Sequence, residues 1–282
     1  MSGLSRNTID KFYTSPAVVS QCLARFAEEV KIGDDDLLLE PSAGGGAFIA
    51  GMKQLGETRF YDLQPEHPEV IQQNYLELDH SLFLKKVVHS NVHPVVHPVV
   101  HVIGNPPFGR QSSLAIKFIR KSAEFATTIS FILPKSFKKP SYQAKIPLCF
   151  HLITEFDLPQ NAFLLAGKPH DVPCVFQIWQ RRDTPRAVDE KQEPQGYEFA
   201  KKEENPDLCI RRVGYYTGKV DAEIESKSVQ SHYFIRFTER DGIAEKVKRL
   251  ENLEFAGKDD TVGARSISKG DVIRELNRKL IQ

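Results

Sequence analysis

The chain is 282 residues long, with 40% hydrophobic and 27% charged residues, enough apolar material to bury a core and to exclude disorder by composition. Thirty-eight Lys and Arg against 37 Asp and Glu leave a formal charge of +1, which excludes a uniformly basic coat for wrapping a polyanion but not a local basic cleft. The cysteines Cys22, Cys149, Cys174 and Cys209 lie far apart and form neither a close-spaced metal pair nor a disulfide framework. No apolar run approaches membrane-spanning length, and the polar start from Ser2 to Asn7 predicts no signal peptide. The expectation is a soluble intracellular protein with no membrane contact and no metal site.

In chain order, Ser15-Pro16 supplies a cap and a first-turn proline. Val18, Val19, Cys22, Leu23, Phe26 and Val30 then recur at helical spacing, predicting a helix that ends near Gly33. Leu37-Leu38-Leu39 is too short for a buried helix and runs through Glu40 into Pro41-Ser42-Ala43-Gly44-Gly45-Gly46, before Ala47, Phe48, Ile49 and Met52 open a new apolar pattern. That is strand, glycine turn, helix. Thr58 to Tyr61 predicts the next strand, ending in Asp62 and parallel to the first, and Asn74-Tyr75-Leu76 a third short strand.

From Lys85 to Val100 the chain is unusual, since His93-Pro94-Val95-Val96-His97-Pro98-Val99-Val100-His101 nearly repeats every four residues. Its prolines forbid a regular helix, so His93, His97 and His101 share no helical face and an extended connection is expected. His101 to Gly104 predicts a fourth strand, emptying into Asn105-Pro106-Pro107-Phe108-Gly109. Leu114, Ala115, Phe118, Ile119 and Ala123 predict a helix, and Thr128 to Leu133 a strand stopped by Pro134. Two late strands fit 150–158 and 172–179, with a surface loop carrying Phe163 between them. The alternation predicts an α/β sandwich with helices on both faces of a mostly parallel sheet.

Residues 1–182 are expected to form this main domain. The stretch 183–207, rich in charge, Gln and Pro, reads as a linker or loose flank. Residues 208–282 predict a small α+β domain, with strands near Cys209–Val213 and His232–Phe237 and helices at Ile243–Leu250 and Val272–Leu280.

Asn105-Pro106-Pro107-Phe108 is the sharpest chemical signal. It follows an apolar strand and sets a side-chain amide and an aromatic ring at the crest of a parallel sheet, on a backbone stiffened by two prolines. Such a corner can grip a planar amine between Asn105 Oδ1 and the Pro106 carbonyl. Gly44, Gly45 and Gly46 let a ligand approach backbone at a helix start, while Asp62, about one strand–helix–strand step later, can receive two ribose hydroxyls. The usual dinucleotide glycine spacing and the P-loop Lys-Ser pair are both missing, which points to another nucleoside cofactor.

Over residues 11 to 180 these motifs resemble the class I S-adenosylmethionine-dependent methyltransferases, and among them the N6-adenine, amino-group methyltransferases of nucleic acid. The resemblance implies a Rossmann-like sandwich around a mostly parallel seven-stranded sheet, with a small C-terminal α+β extension. Lys11-Phe12-Tyr13-Thr14 resembles the family's N-terminal cofactor motif, implying that Phe12, Tyr13 and Thr14 close over the methionine part. Glu40, Pro41, Ala43, Gly44, Gly46 and Phe48 fall in the segment similar to its glycine-rich cofactor loop. Asp62 with Leu63 takes the ribose-side position, and Asn74 with Tyr75 the position that usually supplies a carboxylate to the cofactor's adenine.

Asn105, Pro106, Pro107 and Phe108 match the catalytic tetrapeptide, and Asn105 also borders the cofactor. Lys135, within Leu133-Pro134-Lys135-Ser136-Phe137, resembles the target-side turn, and Phe163 the second ring that stacks on the acceptor. Arg110, Lys117, Lys138 and Lys139 could line the cleft rim, while Arg211, Arg212 and Tyr215-Tyr216 could contact phosphate and bases. The implied reaction is methylation of adenine N6 in nucleic acid, DNA slightly favoured over structured RNA. A protein glutamine amide as acceptor and a non-catalytic scaffold partner of a methyltransferase pair are the alternatives, so a protein partner stays open.

Overall fold

A computed structural model of the chain describes residues 12–83, 99–187 and 190–281. Two compact units divide after Ala187. The first contains, in order, β1 (Tyr13–Thr14), α1 (Pro16–Glu29), β2 (Leu37–Glu40), α2 (Ile49–Lys53), β3 (Glu57–Asp62), β4 (Ile71–Gln72), β5 (Val100–Gly104) and α3 (Ser113–Ser122). There follow β6 (Thr128–Pro134), α4 (Pro140–Gln143), β7 (Phe150–Asp157), β8 (Phe163–Leu165), β9 (Lys168–His170) and β10 (Cys174–Arg181).

Seven of these strands form one sheet in the order β4-β3-β2-β5-β6-β10-β7. The first five pair in parallel, and β10 runs antiparallel between β6 and β7. Side chains alternate across the sheet. Leu38, Ile103, Ile132, Phe176 and Ile178 meet Val18, Cys22, Phe26, Ile49 and Met52 of α1 and α2 on one face. Leu37, Leu39, Val100, Val102, Phe131, Leu133, Val175 and Trp179 meet Ala115, Phe118 and Ile119 of α3 on the other. Covering both faces explains why β2 and β6 read as unbroken apolar runs. The unit is a Rossmann-like α/β sandwich.

Local chemistry accounts for the details. Ser15 stands at the N-cap of α1 but its hydroxyl makes no capping bond, so the fixed φ of Pro16 at the first position sets the helix start. The predicted strand at Asn74-Tyr75-Leu76 is instead a 3-10 turn after β4, because Asn74 Oδ1 accepts the Leu76 N–H at 3.2 Å and bends the chain. The expected surface loop at 159–171 is a hairpin, β8 with β9, and β8 pairs β1 through Tyr13↔Leu164 and Thr14↔Phe163. Ala166 (φ 49°) and Gly167 (φ 76°) make its two-residue turn, a conformation that Ala seldom adopts.

His93 and His97 lie outside the described residues. His101 is a buried residue of β5, with Nδ1 2.8 Å from Thr128 Oγ1 and Nε2 3.1 Å from Asp36 Oδ2. Its structural partners account for it.

The second unit holds β11 (Tyr197–Ala200), β12 (Leu208–Arg211), β13 (Val220–Asp221), β14 (His232–Phe237), α5 (Ile243–Leu250) and α6 (Lys269–Leu280). Its sheet runs β11-β14-β12-β13, all antiparallel. Tyr197, Leu208, Ile210, Ile235 and Phe237 pack one face onto Leu250, Val272 and Leu276. The stretch 183–207, expected as a linker, therefore contains a strand: Tyr197 and Phe199 face the core while Glu198 does not, a half-buried pattern that polar composition concealed. No helix among the described residues is long and apolar enough to cross a membrane.

Candidate active site

Strand β2 leads outward to β3 and β4, whereas its neighbour β5 leads the other way to β6. The chain order reverses between them, and a crevice forms at such a point beyond the strands' carboxyl ends. Those ends carry Glu40 with the glycine turn, and Gly104 with the Asn105 tetrapeptide.

Gly104 has φ +151°, and a Cβ on it would stand 3.0 Å from Glu40 Cγ, so only glycine lets the two strand ends approach this closely. Gly46 (φ +82°) is equally constrained, since a Cβ would lie 2.8 Å from Ile49 Cδ1 and 3.0 Å from the His67 ring. Ala43 N–H donates to the Tyr61 carbonyl at 2.9 Å, and Pro41 and Ala43 are buried beneath the turn. Asp62, at the end of β3, accepts Gly44 N–H at Oδ2 (2.8 Å) and Gln64 N–H at Oδ1 (2.7 Å). Each oxygen retains a second lone pair.

Glu40 is 2% exposed and its Oε2 has no hydrogen-bond partner among the described residues. Burial, with the Asp62 charge second, pushes its carboxyl up to about 8, so it is protonated near neutral pH. A cation placed beside it would restore the charge.

Asn105 is held from three sides. Its Nδ2 donates to the Phe12 carbonyl at 3.2 Å and to Thr14 Oγ1 at 3.3 Å, and its own carbonyl accepts the Ser42 hydroxyl at 3.1 Å. Oδ1 is thereby left as a buried acceptor without a partner among the described residues. Among the described residues, no hydrogen bond reaches the Pro106 carbonyl either. Half-buried Phe108 ties the corner to α3, its carbonyl accepting the N–H groups of Leu114 and Ala115. Next to it Gln111 (φ 52°) and Ser112 (φ 60°) sit in left-handed conformations that cost free energy and cluster at functional sites.

From the N-terminal side, the Tyr13 ring lies over the glycine turn, 3.4 Å from a Cβ placed on Gly45, and its hydroxyl donates to Glu66 Oε2 at 2.6 Å. Phe12 stacks on His170, ring centres 5.2 Å apart and planes 6° from parallel. Thus Phe12 and Thr14 hold Asn105, Tyr13 covers the glycine turn, Gly44 bonds Asp62, and Glu40 packs against Gly104 beside them. Leu63, just past Asp62, is 55% exposed.

Several expected site residues stand elsewhere. Phe163, assigned to stack on an acceptor, is fully buried in the α1 face of the sheet, because its pairing with Thr14 turns it inward. Phe48 is 1% exposed in the same core, and Tyr75 is buried with its hydroxyl 2.7 Å from Ser122 Oγ. Neither side chain is available to a ligand. Asn74 Oδ1 serves the Leu76 N–H. Lys135 pairs with Asp157 at 3.0 Å beside Lys138 at 2.8 Å, and that pair of ammonium groups holds the Asp157 carboxyl below its usual range despite partial burial. Arg211 and Arg212 belong to the second unit, where Arg211 Nε donates to the Val213 carbonyl at 2.8 Å. Ser42, Glu66, His170 and Asp157 escape sequence reasoning, because each meets its partner only through sheet pairing far along the chain.

The residues fit S-adenosylmethionine. A buried carboxyl without a partner suits its ammonium group, the Asp62 carboxylate suits vicinal hydroxyls, the glycine turn admits a close backbone approach, and Leu63 offers an apolar surface to a base. No cluster of three or more His, Cys, Asp or Glu suited to a metal occurs among the described residues.

No family model matches the chain, and no curated protein matches it. Among solved structures, a protein of Pyrococcus horikoshii provisionally described as an RNA methyltransferase is 16% identical, covering 64% of this chain and 92% of its own, with a TM-score of 0.43. An rRNA methylase from Streptococcus thermophilus is 14% identical over 60% of this chain and 97% of its own, with a TM-score of 0.36. The N-methyltransferase NodS from Bradyrhizobium japonicum is 8% identical over 59% and 96%, with a TM-score of 0.38. Superpositions this loose assign no substrate and no residue role, and the strand order rests on the observed pairing.

Proposed function

We propose that the chain transfers a methyl group from S-adenosylmethionine to the N6 amine of adenine in nucleic acid, with DNA slightly favoured over structured RNA. The observation that carries this reading is the unpartnered Oδ1 of Asn105 beside the uncommitted carbonyl of Pro106. Glu40, the Gly44 to Gly46 backbone, Asp62 and Leu63 would hold the donor, with Tyr13 and Thr14 closing the methionine side. When bound, S-adenosylmethionine supplies an electrophilic methyl group on a positively charged sulfur.

The chain's own part is to make a poor nucleophile competent. An exocyclic amine conjugated to a purine has a delocalised lone pair. Asn105 Oδ1 and the Pro106 carbonyl each accept one of its N–H groups, which favours tetrahedral nitrogen and the positive charge that develops there. No strong base is required: as the N–C bond forms, the C–S electron pair stays on sulfur as a neutral thioether, and the N–H acidity rises so sharply that the surplus proton passes to water. Phe108 stacks on the acceptor ring and holds it in line. A paired adenine must leave the duplex to reach this corner. The second unit would serve substrate recognition.

One observation favours a second reading. With Phe163 buried, only one expected stacking ring remains, and a protein glutamine amide needs less stacking than a base. Radiolabelled methyl transfer to duplex DNA, single-stranded DNA, structured RNA and protein extract, followed by identification of the modified group, separates the acceptors. Label on adenine N6 that disappears in a folded Asn105→Ala variant is the expected result; label on glutamine overturns the adenine reading. A variant with unchanged turnover would instead make the corner incidental.

A further inference from the structure

The second unit, taken by itself, has a groove of about 390 Å³ where the end of β11 meets the start of β14, within the size range of ligand sites. Phe199 and Tyr233 form an aromatic corner in it, ring centres 5.8 Å apart and 80° between planes. Lys269 Nζ stands 4.9 Å from the centre of the Phe199 ring, and the Arg212 guanidinium 5.5 Å from that of Tyr233. Lys201 and Lys202 complete a lining with four cations against a single carboxylate, Glu203. The near-zero charge of the whole chain makes this local excess informative.

The cations are not equally committed. Lys202 Nζ donates to the carbonyls of Glu225 and Lys227, so it acts as a strut. Asp271, close in sequence to Lys269, is engaged by Ser268 and Arg274. Arg212 and Lys269 have no carboxylate partner among the described residues. A cation over an aromatic face keeps its charge and outward N–H groups, and a guanidinium plane is itself a stacking surface for a base. Shortly beyond Arg212, Tyr215 is 79% and Tyr216 65% exposed, with Arg265 5.6 Å over the Tyr215 ring. Interleaved exposed rings and cations are what a splayed polynucleotide uses.

We infer that this groove binds a single-stranded nucleic-acid segment, a phosphate held between Arg212 and Lys269 and a base stacked on the Arg212–Tyr233 pair. The inference deepens the nucleic-acid reading above by locating a second contact for the acceptor strand. It is tested on the full chain by fluorescence anisotropy with a short labelled single strand, as DNA and as RNA, over a salt series. The Arg212→Ala, Lys269→Ala double variant is expected to bind about 10-fold more weakly, with a salt slope shallower by roughly one. A control double variant, Lys248→Ala with Lys258→Ala, removes the same charge away from the groove lining and is expected to bind like wild type.

Equal weakening in both variants, or no oligonucleotide binding by wild type, overturns the inference. A phosphopeptide that displaces the strand at equal concentration overturns it too. S-adenosylmethionine binding, measured in parallel by calorimetry, keeps the two readings apart. Donor binding with groove-independent oligonucleotide affinity sinks the groove alone, whereas groove-dependent affinity without donor binding sinks the transferase reading alone.

Discussion

The two ends of β2 and β5 treat buried polar groups in opposite ways. At the amino ends, Asp36, His101 and Thr128 satisfy one another, and nothing is left over. At the carboxyl ends, Glu40 Oε2 and Asn105 Oδ1 are buried without partners, although an orphaned acceptor costs roughly 1–3 kcal/mol. The same pair of strands therefore carries one cluster that is satisfied within the protein and, at its other end, two acceptors left open, as the proposed donor and acceptor sites require.

Breaking that contrast begins with Asn105. Asn105→Ala is expected to lower methyl transfer by about 10²–10³-fold with the sheet intact, as loss of one preorganised polar contact does elsewhere; steady-state turnover beside circular dichroism checks it. At the satisfied end, His101→Ala should lower stability by about 2–4 kcal/mol in urea unfolding, by opening a cavity and stripping Asp36 and Thr128 of their shared partner. Turnover per folded molecule should not change. If the two variants exchanged phenotypes, the division of labour would collapse.

The ends should also respond to pH with opposite sign. Glu40 has its folded pKa raised to about 8 from 4.5, so its contribution is complete below 4.5 and is lost as pH rises through 8, at up to about 1.4 kcal/mol per pH unit. Burial lowers the His101 pKa from 6.5 against the opposing pull of Asp36, so its contribution is complete above 6.5 and declines as pH falls below that. Unfolding free energies across pH should show Glu40→Gln removing the fall in stability between about pH 4.5 and 8 and leaving the His101 slope below 6.5 in place. Saturating donor should do the same, by stabilising the ionised carboxylate. The smallest effect belongs to Lys135→Ala, which removes one exposed ion pair with Asp157. Stability should change by less than ~1 kcal/mol, and because the Lys135 ammonium is already paired with Asp157, oligonucleotide affinity and its salt slope should stay near wild type.

What the residues reveal on their own follows a physical division. Helices α1, α3 and α6 announce themselves because one face repeats apolar side chains, and β2, β5 and β6 because both faces are covered. Pairing between distant segments leaves no such trace. The β1–β8 register that buries Phe163 depends on an Ala-Gly hairpin with none of the usual Asn-Gly signal, and β11 hides its alternation among charged neighbours. Within the candidate site, Asn105, Asp62 and the glycine turn lie at the strand ends where the residue order predicts them, because each ends or follows a strand. The roles of Ser42 and His170 were not legible, since they arise from proximity alone.

The tether from Asn105 Nδ2 to Phe12 and Thr14 makes the first described residues responsible for how that amide is oriented. A chain trimmed to begin at Pro16 would keep its central sheet, yet the amide would be free to rotate and present nitrogen where oxygen is required. On the proposed function, proteolytic loss of the residues before Pro16 would then abolish methyl transfer without unfolding the sheet.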